Sequence, residues 1–197
     1  DKKHTAIATD QTPLREYIMK IIKMPQGLHE VFGEQQSAAE IVATLMFALA
    51  GSAVMYFGLY QPTHPGVTWM TVPGMLLVAD VFAGCVANFT HGTNRFYAGR
   101  PKGRLIFILI HVHILAIAWL LGAPFEYALL TWIYTIAAAL IINQLQGHKL
   151  QTFFGAFLMC IGLLVLIALP IPAWFLLCCV FFMVKVVFSF AVNHYPQ

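Results

Sequence analysis

Six side chains of chemically capable types lie in or at the ends of long apolar runs of this 197-residue chain: Glu40, Asp80, Asn88, His111, His113 and Lys185. An ionised group at the centre of a membrane helix costs about 2.5–3.5 kcal/mol on insertion scales, so each needs a partner or a cavity. Asp80 and Lys185 carry opposite charge and are expected to form an internal pair, whose functional extension is a proton relay. Glu40 is close enough to the start of its run to reach the interface. Asn88 closes a run, a position tolerated where it caps a broken helix or lines a cavity. His111 and His113 are two apart, which on a continuous helix points them to different faces and prevents joint chelation. A haem or metal centre in a helical bundle wants paired histidines facing one another. The expectation is therefore hydrogen-bonded histidines at helix interfaces, no metal, and no cofactor beyond bound lipid. The four cysteines, Cys85, Cys160, Cys178 and Cys179, lie in apolar runs without metal or disulfide spacing and read as small buried hydrophobes. No Gly-rich phosphate loop or recognisable Ser/Cys–His nucleophile setting occurs, so no catalysis is expected.

The elements that must position these residues are membrane spans. The chain is 60% hydrophobic and 10% charged, where a soluble domain carries about 25% charged residues. Six segments approach the ~20 residues needed to cross a bilayer: Ala38–Tyr60, Val67–Phe82, Arg104–Leu121, Phe125–Ile142, Gln151–Ala168 and Ala173–Val192. Pro62, Pro65-Gly66, Gly122-Ala123-Pro124, the polar run Asn143 to His148, and Pro170-Ile171-Pro172 punctuate them. Pro73-Gly74 predicts a kink in the second.

Charge sets the topology. Lys2, Lys3, Arg15, Lys20 and Lys23 precede the first span, Arg95, Arg100, Lys102 and Arg104 separate the second and third, and Lys149 separates the fourth and fifth. With six spans these all fall on one side, leaving Lys185 as the exception. The positive-inside rule then places both termini on the cytoplasmic side, or the matrix side of an organelle. The same distribution accounts for the net charge of +3 without invoking nucleic acid. In the N-terminal region (1–37), Thr12-Pro13 reads as N-cap and first turn of an amphipathic helix over about 13–24, with Leu14, Tyr17, Ile18, Ile21 and Ile22 on one face. It serves either as an interfacial helix at the headgroups or as a docking arm for a neighbouring subunit. The start at Asp1 suggests processing, which makes the mitochondrial inner membrane an expected location.

Several pieces in order resemble the aquaporin (major intrinsic protein) family. Ala39-Glu40-Ile41-Val42-Ala43-Thr44 followed by Ala50-Gly51-Ser52-Ala53 resembles the family's glutamate-led first helix. Ala83-Gly84-Cys85-Val86-Ala87-Asn88-Phe89-Thr90 matches the Gly and Asn of its first S-G-x-H-x-N-P-A half-helix signature, with Phe89-Thr90 in place of Pro-Ala. Tyr97-Ala98-Gly99-Arg100 is similar to the aromatic-A-G-G-R stretch before the third helix. The similarity spans Ala39 to about Gly122. It implies that Glu40 accepts backbone donors near Asn88, that Asn88, Phe89 and Thr90 are a pore-like remnant, and that His113 stands at a pore-facing position.

The second half of the family pattern is missing. Trp132 stands where a second glutamate is expected, about 20 residues for a second half-helix are absent before Pro170-Ile171-Pro172, and no arginine follows Arg104. One half-helix has no opposing dipole with which to orient water and exclude protons. Trp174, Phe175, Phe181, Phe182, Phe188 and Phe190 are available to fill the vacated volume. The expected fold is an all-α integral membrane protein of six aquaporin-like helices (38–197) plus the N-terminal amphipathic helix. The expected role is a non-catalytic structural or accessory subunit of a larger membrane complex, contacting lipid and other subunits through the N-terminal arm and aromatic outer faces. The alternative is a water or small neutral-solute channel built on Asn88.

Overall fold

The computed structural model describes residues 20–195. Strand β1 (Ile21–Lys23) pairs antiparallel with β2 (Gln35–Ser37), and between them lie a 3-10 turn (Gln26–Leu28) and the short helix α1 (His29–Phe32). The expected amphipathic helix lies mostly outside the described residues, but its last turn is corrected: Ile21, Ile22 and Lys23 are extended and exposed. Backbone pairing with β2 replaces helical bonds there.

Among the described residues five elements are long and apolar enough to cross a membrane, and a sixth is counted if Thr71–Ala87 and His91–Ala98, bent by 85°, form one span. The first is α2 (Ala38–Ala53), continued without interruption by a π-helical segment (Val54–Tyr60). Its start is a reciprocal cap. Ser37 Oγ accepts from Glu40 N (3.2 Å), and Glu40 Oε2 accepts from Ser37 N (3.0 Å) and Ser37 Oγ (2.7 Å). Glu40 is thus spent on its own helix and not on the Asn88 loop, which corrects the expectation from family resemblance.

The second span is α3 (Thr71–Ala87). Pro73 falls in its first turn, where a missing amide breaks no helical bond, so α3 runs through Pro73-Gly74 without a break. At Asn88 the chain turns by 85° into α4 (His91–Ala98), which is capped by Thr90. The third span is divided into α5 (Pro101–Ile110) and α6 (His113–Leu121). The remaining spans are α7 (Phe125–Gln144), α8 (Gln151–Ala168) and α9 (Ala173–Met183), the last continued by a second π-helical segment (Val184–Phe190). Gly122 closes α6 with φ 74, a left-handed end that a side chain would strain.

The last span is the core of the bundle. Of its most apolar 18-residue stretch 61% is buried, against 17% for the first span. It packs on α3, α6, α7, α8 and the π-helical end of the first span. Trp174, Phe175, Phe182 and Phe190 are buried along it, while Phe181 and Phe188 are half-buried. The outside is apolar instead: Leu49, Phe57, Trp119, Phe153 and Leu164 are all more than half exposed. An apolar exterior around helices of this length is the pattern of an all-α integral membrane protein. Cys85, Cys178 and Cys179 are buried as expected, but Cys160 is exposed on α8.

The clasp before the first span is fastened to α4. Thr93 Oγ1 donates to Val31 O (2.9 Å) and Tyr97 OH to Glu30 O (3.3 Å). Gly33 and Gly92 meet at this contact with no room for a Cβ on either. This fixes Glu30 and Val31 over the end of α3.

Candidate functional site: a polar cluster inside the bundle

Asp80 lies near the middle of α3 and Lys185 at the start of the second π-helical segment. Lys185 Nζ donates to Asp80 Oδ2 at 2.6 Å and approaches Asp80 O at 3.4 Å. The expected internal pair therefore forms. The Lys185 side chain is only 5% exposed, whereas that of Asp80 is 42% exposed. Gly84, one turn beyond Asp80, makes the geometry feasible: a Cβ there would collide with Lys185 Cε and Cδ. Asn88 Nδ2 donates to Lys185 O (3.3 Å), and Ser189 Oγ donates to Cys85 O (2.9 Å). Cys85 Sγ approaches Phe181 O at 2.9 Å. A π-helical segment misaligns carbonyls that an α-helix would satisfy, and α3 supplies donors to this stretch.

His113 Nε2 lies 3.4 Å from Asp80 Oδ2. The expectation that His111 and His113 point apart is corrected by the break between α5 and α6. His111 has ψ 76 instead of a helical value, and the two imidazole centroids are 5.0 Å apart. His111 Nδ1 donates to Phe107 O, and the Trp132 indole donates to His111 O (3.1 Å), so a side chain from α7 satisfies the freed carbonyl. His113 Nδ1 is buried and has no hydrogen-bond partner among the described residues.

A crevice of about 150 Å³ borders Asp80, Asn88, His111, His113 and Lys185 and extends to Glu30 and Val31. It exists because α3 packs closely on α6 but only sparsely on α5. Among the described residues no group of three or more His, Cys, Asp or Glu is placed to hold a metal. Lys185 already occupies the carboxylate that a cation would use.

Of the residues singled out as a pore-like remnant, only Asn88 and His113 reach this cluster. Thr90 Oγ1 caps α4 and donates to Ala87 O (2.7 Å). The Phe89 ring packs on Phe188 and His194, and its carbonyl accepts from Tyr195 OH (3.0 Å).

The role of one residue was not expected from the sequence. Arg104, counted among the cations before the third span and placed at its first position, is 1% exposed within α5. Its Nε donates to Asn143 Oδ1 (3.0 Å), and one terminal nitrogen donates to Phe190 O (3.2 Å) and Ala191 O (3.0 Å). Gln151 Nε2 joins at Ala191 O and at Ile142 O, both 3.1 Å. The signal available was the lone arginine two residues inside Pro101-Lys102, where the last helix must end nearby with bare carbonyls.

No protein-family model, no curated protein and no solved structure matches the chain.

Proposed function

We propose that this chain is a non-catalytic integral membrane protein acting as a structural or accessory subunit of a larger membrane assembly. The observation that carries the reading is the last span, which lies buried at the centre of the bundle with Trp174, Phe175, Phe182 and Phe190 packed around it. A bundle filled along its axis by a helix and its aromatic side chains favours a scaffold over a conduit. The proposal includes descent from an aquaporin-like ancestor, supported by the ordered pieces from Ala39 to Gly122. It also includes both termini on the cytoplasmic or matrix side, supported by the grouping of Arg95, Arg100, Lys102 and Lys149. A mitochondrial inner membrane is one setting consistent with that grouping. Partner subunits and lipid would meet the exposed aromatic face that Phe153, Phe154 and Phe157 form on α8.

The second reading, conduction of water or a small neutral solute past Asn88, has one favourable observation: the crevice reaches that residue. Against it, the Asn88 amide is already bonded to Lys185 O. Stopped-flow swelling of proteoliposomes decides between them. The structural reading expects permeability equal to that of empty liposomes, with Asn88→Ala unchanged, and membrane proteins co-purifying after mild solubilisation. Protein-dependent swelling that Asn88→Ala abolishes would overturn it.

A further inference from the structure

The crevice beside Asp80 has room for about five water molecules at ~30 Å³ each, well short of the about 300–1,000 Å³ of drug-sized sites. Both cationic contacts of Asp80 fall on Oδ2, and no described residue bonds Oδ1. His113 holds a buried nitrogen with no partner among the described residues. A carboxylate with a free oxygen, an imidazole within reach and a small water-sized approach suit the smallest cation of all. A metal ion would meet the ammonium of Lys185, and an anion would meet the carboxylate.

We propose that Asp80 and His113 form a proton-binding site, loaded through this crevice from the end of the bundle that carries Arg95, Arg100 and Lys149, with Lys185 as its resident counter-cation. The proton is delivered by water and is shared by the carboxylate and imidazole as one titrating unit. No other bond forms or breaks, and the cluster gains one positive charge.

The groups facing this unit come from the elements packed around it, and the first span, packed on α3, places no titratable side chain on the crevice. The last span contributes Lys185 and the Ser189 hydroxyl. The inner half of the third span contributes His111, held by Phe107 O. On α3 the Cys85 thiol is directed to Phe181 O. α1 places Glu30 at the mouth, and α7 contributes the Trp132 indole, which does not titrate. Arg104, farther along α5, is spent on Asn143 and the end of the last span. Two walls of the crevice are irregular helix, the His111–Val112 break and the π-helical segment at Lys185. A change of charge there acts on backbone that has more than one way to bond.

The test uses the full chain in lipid nanodiscs with ring-labelled histidine, read by pH-difference infrared spectroscopy between about pH 5 and 8. All eight histidines carry the label, so the readout is the wild-type-minus-variant difference, in which one titrating imidazole component coupled to one carboxyl component is expected. His113→Gln should remove that imidazole component and alter the carboxyl one, Asp80→Asn should remove the carboxyl component, and His111→Gln should leave both. A folded wild type whose pH-difference spectrum loses no imidazole component on His113→Gln, or no carboxyl component on Asp80→Asn, overturns the proposal. A second measurement needs no variant. In sealed vesicles of known orientation, dicyclohexylcarbodiimide attacks protonated carboxyls, and its labelling of Asp80 should rise several-fold when the basic end alone is acidified. Labelling that follows only the opposite side, or no labelling of Asp80 from either side, overturns it. The outcome is independent of water conduction and of co-purifying partners, so it can fail while the structural reading stands.

Discussion

Arg104 and Lys185 are both cations drawn into an apolar bundle, and both engage the last span, but they are held in different ways. Arg104 has no carboxylate partner among the described residues. Its fork is matched to two main-chain carbonyls and the Asn143 amide oxygen, with Gln151 alongside. Lys185 has a full countercharge in Asp80, a crevice beside it, and a histidine competing for the same oxygen. The first arrangement distributes one charge over several fixed dipoles and leaves nothing exchangeable. The second concentrates the interaction on one oxygen next to a space that water fits. The difference separates a fastening from a site.

Substitution at the fastening should produce the largest loss of stability. Arg104→Met leaves the Phe190 carbonyl and the Asn143 amide oxygen without a donor, at about 1–3 kcal/mol each, so a loss of about 3 kcal/mol or more is expected in reversible unfolding from mixed micelles. Arg104→Lys should recover only part of it, because an ammonium cannot reproduce the fork. Full recovery by lysine would erase the contrast with Lys185. Next comes Asp80→Ala, which strands a nearly buried ammonium. Breaking a buried pair costs about 3–5 kcal/mol, and water in the crevice should hold this one to about 2 kcal/mol. The paired change Asp80→Asn with Lys185→Met should return to within about 1 kcal/mol of wild type in the same assay, since neutral replacement of both partners removes the stranded charge. A double variant as unstable as Arg104→Met would show the pair to be a fastening as well. Trp132→Phe removes the indole donor to His111 O and should cost about 1 kcal/mol. Its sharper readout is faster amide hydrogen exchange confined to the residues around the break. The smallest effect is Glu40→Ala, which loses half of a reciprocal cap at about 0.5–1 kcal/mol and leaves the crevice untouched. A change in the Asp80 carboxyl band on that substitution would revive the idea that Glu40 serves the Asn88 turn.

Where turn chemistry is local, the fold was legible. The spans Ala38–Tyr60 and Gln151–Ala168 begin and end where the residues indicate, because Ser37, Pro62, the polar run before Gln151 and Pro170 each act within a few positions. The pairing of Asp80 with Lys185 was legible for a different reason: two opposite charges in hydrocarbon have few other options. The His111–Val112 break was not. No proline or glycine marks it, and the carbonyl it frees is satisfied by Trp132, 21 positions away. Arg104 was hidden by its place at the edge of an apolar run, where a cation reads as one of the flanking charges. Burial of its guanidinium depends on where the π-helical end of another span leaves its carbonyls. Pro73-Gly74 misled because the helix begins later than its apolar run does, which moves the proline into the first turn. The tail strand was hidden as well, since Ile21-Ile22 fits either period and pairing with Gln35–Ser37 decides it.

The missing side chain of Gly84 has an evolutionary corollary. Lys185 lies in the space that any other residue at position 84 would claim, so the two positions are constrained as a pair. Homologous sequences that carry Ala or Ser at position 84 should either have swung the ammonium at 185 off the acidic residue at 80 or have lost both charges. Sequences that keep Gly84 are free to keep all three. Drift at one small residue would therefore separate two charges in the interior of the membrane or remove both.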